Sequence, residues 1–148
     1  MSSSTSERKR VLVLCTGNSC RSQMAEGLIN HALGARWSAR SAGTRPAERV
    51  APLAIDAMSE VGIDISKAVP EAVECYLDAS WDLVVTVCDS ARESCPVFPR
   101  PVESIHVSFP DPAEAEGTDE ERMEVFRSVR DSIRERLLPE LERRAEAR

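Results

Sequence analysis

The chain has 148 residues, 42% hydrophobic and 30% charged, which suits one globular domain with one core. Its formal charge of −6 lacks the basic balance expected of a nucleic-acid binder. No apolar run reaches bilayer length and the start, MSSSTSERKR, is polar, so the expectation is a cytoplasmic monomer with no membrane segment and five reduced cysteines.

Residues 1–9 are Ser/Thr-rich and read as a flexible N-terminus, and 10–148 as a single domain. Arg10 to Leu14 reads as a buried parallel strand, apolar and β-branched without alternation. Ser22 to Leu33 carries Met24, Ala25, Leu28 and Ile29 at helical spacing, with Gly34 as the stop. Trp37 to Ala42 is a second strand, and Val50 to Val61 a second helix followed by Gly62. Pro70 to Asp78 reads as a short helix opening at a proline.

Asp82 to Val87, DLVVTV, is a third buried strand and Val102 to Val107 a fourth. Asp119 to Arg144 is a long amphipathic helix with a stripe of Met123, Phe126, Val129, Ile133, Leu137 and Leu141. Pro139 lies inside that stripe and predicts a kink or an early end. This alternation implies an α/β fold, a mostly parallel open sheet flanked by helices on both faces. Ligands of such sheets sit beyond the carboxyl ends of the strands, where Cys15 and Cys88 fall.

The stretch CTGNSCRS places Cys15 at a strand end, with Arg21 and Ser22 opening a helix. A loop of Thr16, Gly17, Asn18, Ser19 and Cys20 can turn its N–H groups toward a tetrahedral oxyanion at the helix N-terminus. Gly17 and Asn18 tolerate the backbone angles of such a curl. Arg21 can grip two anion oxygens, and the same field stabilises a Cys15 thiolate, to which Ser22 can donate its hydroxyl. The loop resembles the signature of the low-molecular-weight protein tyrosine phosphatase superfamily, and CTGNSCRSQMAEG is particularly similar to its arsenate reductase branch. The resemblance implies a four-stranded parallel sheet flanked by helices.

A leaving group needs an acid. Asp111, held extended by Pro112, fits that role in FPDPAEAEG. Tyrosine phosphatases of the superfamily usually carry an aromatic residue after Asp-Pro, whereas this chain has Ala113.

Cys88 and Cys95 are separated by six residues, too wide for a Cys-x-x-Cys motif. A zinc site would need two further ligands, and His31 and His106 stand at no recognised spacing. Spacing alone leaves open whether the two cysteines are related. The pair resembles the redox cysteines of thioredoxin-coupled arsenate reductases, together with SAGT at Ser41, IDIS at Ile63, DPA at Asp111 and FRSVRDSI at Phe126. A departure is Val107, where relatives often have Trp after the histidine.

That resemblance implies reduction of arsenate to arsenite by a three-cysteine relay. Cys15 is the nucleophile, Cys88 and Cys95 form the redox disulfide, and thioredoxin is the partner that reduces it. A disulfide between them would require the intervening segment, read as a helical turn, to unwind. No bound flavin or metal is implied. A potassium ion near the loop is implied, held by Asn18, Glu26, Ser41 and Glu71. Cys20 is expected only to pack in the loop and Cys75 to be a small core residue. Three alternatives remain: a phosphatase hydrolysing phosphate monoesters, an anion sensor with a redox switch, and reduction by glutaredoxin in place of thioredoxin.

Overall fold

A computed structural model describes residues 8–146. Most of the 1–9 segment expected to be flexible therefore lies outside the described residues, and Lys9 already belongs to a strand. That strand, β1 (Lys9–Cys15), has Val11, Leu12, Val13 and Leu14 fully buried. Such burial on both faces requires neighbours on both edges. Parallel pairing supplies them, with β2 (Trp37–Gly43) on one side and β3 (Leu83–Thr86) on the other. β4 (Ser104–His106) pairs in parallel with β3 and completes a four-stranded sheet of order β2-β1-β3-β4. The strand order reverses between β1 and β3, so the ligand-binding crevice of this topology opens beyond Cys15 and Thr86.

The helices are α1 (Arg21–Ala32), α2 (Pro52–Ser59), α3 (Asp89–Ser94) and α4 (Asp119–Glu146). α1, α2 and α4 pack on one another, while α3 lies against β1 and β3. Arg127 and Arg130 of α4 converge on Glu60 at the C-terminal end of α2, and Arg130 also donates to the Ala57 carbonyl at 2.8 Å. Cations belong at that end of a helix. Their hydrogen bonds hold the exposed Glu60 carboxyl down at about 2.

Three sequence expectations are corrected here. The second helix begins at Pro52 rather than Val50, because Ala51 before the proline is extended (φ −62°, ψ 132°). Pro70 to Asp78 is not a helix. Ala72 bridges to Gly43, the Gly43 N–H bonds the Glu71 carbonyl, and only a 3-10 turn, Val73–Tyr76, follows. Pro139 does not end α4. The turns beyond it are held by the indole N–H of Trp37 on the Leu141 carbonyl at 2.9 Å, by Arg36 on the Ala145 carbonyl, and by buried Leu141. These contacts offset a helix-interior proline cost of about 3 kcal/mol.

Gly43 ends β2 against the loop that follows β1. A Cβ there would come within 2.5 Å of the Thr16 carbonyl oxygen and 3.1 Å of the Asn18 backbone nitrogen. Gly43→Ala should therefore destabilise the fold by about 2 kcal/mol, read as a lower thermal midpoint. An unchanged midpoint would mean the loop yields at that point.

Candidate active site

Cys15 closes β1 and is 2% exposed, and residues 16–20 curl from it into α1. The carbonyls of Cys15, Thr16, Gly17 and Ser19 accept from the backbone N–H groups of Thr44, Arg45, Ala47 and Ala51. In a planar trans peptide the N–H points opposite to the carbonyl. Tying the carbonyls outward to the segment after β2 therefore turns the N–H groups of residues 16, 17, 18 and 20 inward. Asn18 N–H meets the Cys15 sulfur at 3.2 Å. Cys20, at the N-terminus of α1, caps no helix N–H with its side chain.

Asn18 is the only non-glycine residue with positive φ among the described residues, at 53°. Its side chain is fully buried. Oδ1 accepts from the Glu71 backbone N–H at 2.9 Å and from Gln23 Nε2 at 3.1 Å, which fixes the amide orientation. Nδ2 donates to Ser22 Oγ at 2.8 Å and to Ser41 Oγ at 2.9 Å. Each serine oxygen thus receives a hydrogen, and each hydroxyl hydrogen is directed onward. Ser22 Oγ lies 2.8 Å from Cys15 Sγ, and Ser41 Oγ donates to Glu26 Oε1 at 2.6 Å. Burial pushes the Glu26 carboxyl up, opposed by that hydrogen bond and by Arg40.

The residues expected around a potassium ion are thus brought together, but as a closed hydrogen-bond network. Both lone pairs of Asn18 Oδ1 are engaged by N–H donors, and the Ser41 hydroxyl both accepts and donates. Glu71 accepts from the Tyr76 hydroxyl. In this arrangement Asn18 Oδ1 has no lone pair left for a cation. Among the described residues no group of three or more His, Cys, Asp or Glu side chains could hold a metal ion.

Arg21 and Asp111 come together at the crevice. Arg21 Nη1 donates to the Phe109 carbonyl at 3.0 Å, and Nη2 stands 3.6 Å from Asp111 Oδ2. Asp111 caps a 3-10 turn, Pro112–Glu114, accepting the Ala113 N–H at 3.0 Å. A groove of about 600 Å³ lies beside this turn between α2 and α4, with Ala113 in its wall.

Cys88 caps α3 and is buried, and its sulfur accepts the Ala91 N–H at 3.4 Å. Thr16 Oγ1 lies 3.4 Å from the same sulfur, which brings the second cysteine to the rim of the first cysteine's loop. The Cys88–Cys95 segment is helical between its two caps. Cys95 is half-buried, and burial pushes its thiol up. Cys20 packs inside the loop, where burial pushes its thiol up to about 12. Cys75, expected in the core, is exposed, because it sits on the 3-10 turn that replaced the expected helix.

Sequence reading missed Gln23, which bridges Asn18 to the Val69 carbonyl, and the contact of Thr16 with Cys88. A polar residue on the apolar face of α1 was the available signal for Gln23. Thr16 gave none, since its partner is 72 positions away.

The low molecular weight phosphotyrosine protein phosphatase family matches the chain over residues 10–146, and the chain belongs to that family. Within it, the chain is similar to proteins named arsenate reductases. The one from Halalkalibacterium halodurans is 50% identical over 130 residues, covering 88% of this chain and 93% of the relative. A solved arsenate reductase in its reduced state superposes with a TM-score of 0.70 at 33% identity, covering 91% of this chain and 98% of the other. A thioredoxin-dependent arsenate reductase from Corynebacterium glutamicum superposes with a TM-score of 0.62 at 30% identity, covering 86% of this chain and 59% of the other. Among the described residues no helix is long and apolar enough to cross a membrane.

Two outcomes test the network. Ser22→Ala should slow iodoacetamide alkylation of Cys15 about tenfold at neutral pH, because the thiolate loses a charge-assisted hydrogen bond. Quantifying the alkylated Cys15 peptide by mass spectrometry measures this, and an unchanged rate would remove Ser22 from the thiolate's support. Glu26→Gln should melt higher than the parent near pH 8, with the gap closing near about pH 4. The folded carboxyl is raised above its unfolded value. Its contribution is therefore complete below the ordinary glutamate range and lost as pH rises through the raised one. A gap that is the same at both pH values would contradict this.

Proposed function

We propose that this chain is an arsenate reductase working by a three-cysteine relay regenerated by thioredoxin. The observation that carries the reading is the 3.4 Å approach of Thr16 Oγ1 to Cys88 Sγ at the rim of the Cys15 loop. A phosphate-ester hydrolase has no use for a second thiol there. The names of the relatives support the same substrate and reductant.

The Cys15 thiolate, supported by Ser22 and Asn18 N–H, attacks arsenic of bound arsenate. Arg21 and the inward N–H groups of residues 16, 17, 18 and 20 stabilise the oxyanion. Asp111 protonates the leaving hydroxide, and water departs. Cys88 as a thiolate then attacks the Cys15 sulfur. A Cys15–Cys88 bond forms, and the sulfur–arsenic electron pair leaves with arsenic, reducing As(V) to As(III) and releasing arsenite. Cys95 attacks Cys88, freeing the Cys15 thiolate and leaving a Cys88–Cys95 disulfide. Two electrons from thioredoxin restore both thiols.

The buried position of Cys20 and the surface position of Cys75 leave them out of this sequence. Ala113 leaves the Asp-Pro turn without the aromatic wall that an aryl phosphate would use.

Arsenate-dependent NADPH oxidation with thioredoxin and thioredoxin reductase should occur with the parent chain and be lost in both Cys88→Ser and Cys95→Ser. Turnover that survives either substitution would overturn the relay. Turnover supported by glutaredoxin but not by thioredoxin would overturn the choice of reductant.

A further inference from the structure

A second polar chain, used by no step above, ties three elements together beside Cys88. Thr86, the last residue of β3, lies 2.7 Å through Oγ1 from His106 Nδ1. His106, the last residue of β4, meets Asp89 Oδ1 through Nε2 at 2.8 Å. Asp89 is the first residue of α3 and follows Cys88 directly. An ionised carboxylate only accepts, so Nε2 carries the hydrogen. Thr86 Oγ1 pairs with Nδ1 whether the ring is neutral or doubly protonated, donating in the first case and accepting in the second. The Asp89 carboxyl is held below its ordinary range first by the bond from His106, with Ser108 adding to it.

Asp89 has a 69% exposed side chain and needs no protein partner for solvation. The consequence of the bond is therefore positional. On the other side of Cys88, the Val87 N–H bonds the Leu14 carbonyl at 2.9 Å. Cys88 is thus pinned from both directions, to β1 through Val87 and to β4 through Asp89. The far end of α3 is held less firmly: Cys95 is half-buried against the core, and among the described residues its thiol bonds only the neighbouring Pro96 carbonyl, at 3.6 Å, while Val97 is 93% exposed. Helical rise separates caps seven positions apart by about 10 Å, whereas a disulfide needs Cα atoms within about 7 Å. One end must move for the two sulfurs to meet.

We propose that Thr86, His106 and Asp89 form a clamp that holds Cys88 against the Cys15 loop for its attack on Cys15, and that Cys95 is the end that travels. The inference rests on the three-cysteine reading above. His106 and Asp89 are positioning residues in it. The clamp makes no covalent bond. In the step it supports, the Cys88 thiolate bonds to the Cys15 sulfur, and the electron pair of the sulfur–arsenic bond leaves with arsenite.

The test is a single turnover of the reduced full-length chain with arsenate and no thioredoxin. Arsenite release is followed by rapid quench, beside the rate of Cys15 alkylation by iodoacetamide. Asp89→Ala and His106→Leu should slow arsenite release about tenfold while leaving Cys15 alkylation at the parent rate. His106→Gln keeps a donor near the position of Nε2 and should recover most of the loss. Asp89 is exposed, so Asp89→Ala keeps the test readable if the histidine variants fail to fold.

Release at the parent rate in Asp89→Ala, with Cys88→Ser unable to release arsenite, overturns the clamp and leaves the relay standing. Alkylation falling in step with release makes the chain a general structural brace and also overturns the clamp. Release from Cys88→Ser at the parent rate overturns the relay itself, and the clamp with it.

Discussion

The buried side-chain amide of Asn18 is the interaction on which the rest of the site depends. One planar group with two donors and one two-fold acceptor meets four partners at the strand end. Its donors fill the acceptor sites of Ser22 and Ser41, and its oxygen is filled by Gln23 and the Glu71 backbone. That saturation leaves the Ser22 hydroxyl hydrogen free to face the Cys15 sulfur. It also ties the loop to α1, to β2 and to the segment before the 3-10 turn. The backbone of Asn18 is in the left-handed region, where asparagine is among the few side chains commonly accepted. The same residue therefore bends the loop and wires it.

The sheet supplies the second constraint. A cradle of inward N–H groups requires every carbonyl on its outer side to find a donor, since an unpaired buried carbonyl costs about 1–3 kcal/mol. The chain leaving β2 meets that need with four donors, the N–H groups of Thr44, Arg45, Ala47 and Ala51. This is possible because β2 runs parallel to β1 in register, Cys15 opposite Gly43, and because Gly43 has no Cβ to push the loop away. The anion cradle is thus a property of two strand ends together.

These origins explain which features could be read from the sequence. The parallel sheet was legible because VLVL in β1 and LVVT in β3 are apolar without alternation, the pattern of burial on both faces. Helix α1 was legible from periodicity, and the Cys15 loop from a small-residue curl between strand and helix. The misreadings have tertiary causes. Proline signals at Pro70 and Pro139 describe local preference, yet Gly43 captures the chain after the first, and Trp37 and Arg36 hold the helix beyond the second. The potassium set comes from the family resemblance alone, which names four residues without saying how their oxygens are engaged. What those oxygens do was decided by Gln23 and Tyr76, whose partners no spacing rule connects. Cys75 looked apolar by type and lies outside because its supporting helix does not form.

The charge balance can be reconciled with an anionic substrate on the same terms. A net charge of −6 opposes an approaching oxyanion at long range, but exposed charges beyond about 8 Å are largely screened at physiological salt. What remains at contact is local. Arg21, the inward loop amides and the N-terminus of α1 all present positive ends to the same point, and the Arg21 side chain is only 13% exposed, so its field there is little screened. Asp111 is the acidic side chain that shares this space with Arg21, at 3.6 Å, and it is the one that the proposed chemistry needs as an acid. The other acidic side chains close to the loop, Glu26 and Glu71, face the far side of Asn18, where Ser41 and Tyr76 engage them. Asn18 thus separates two electrostatic environments within one loop, carboxylates behind it and the anion cradle before it. A global negative charge and a local anion site therefore coexist without contradiction, because the groups that set one do not face the other.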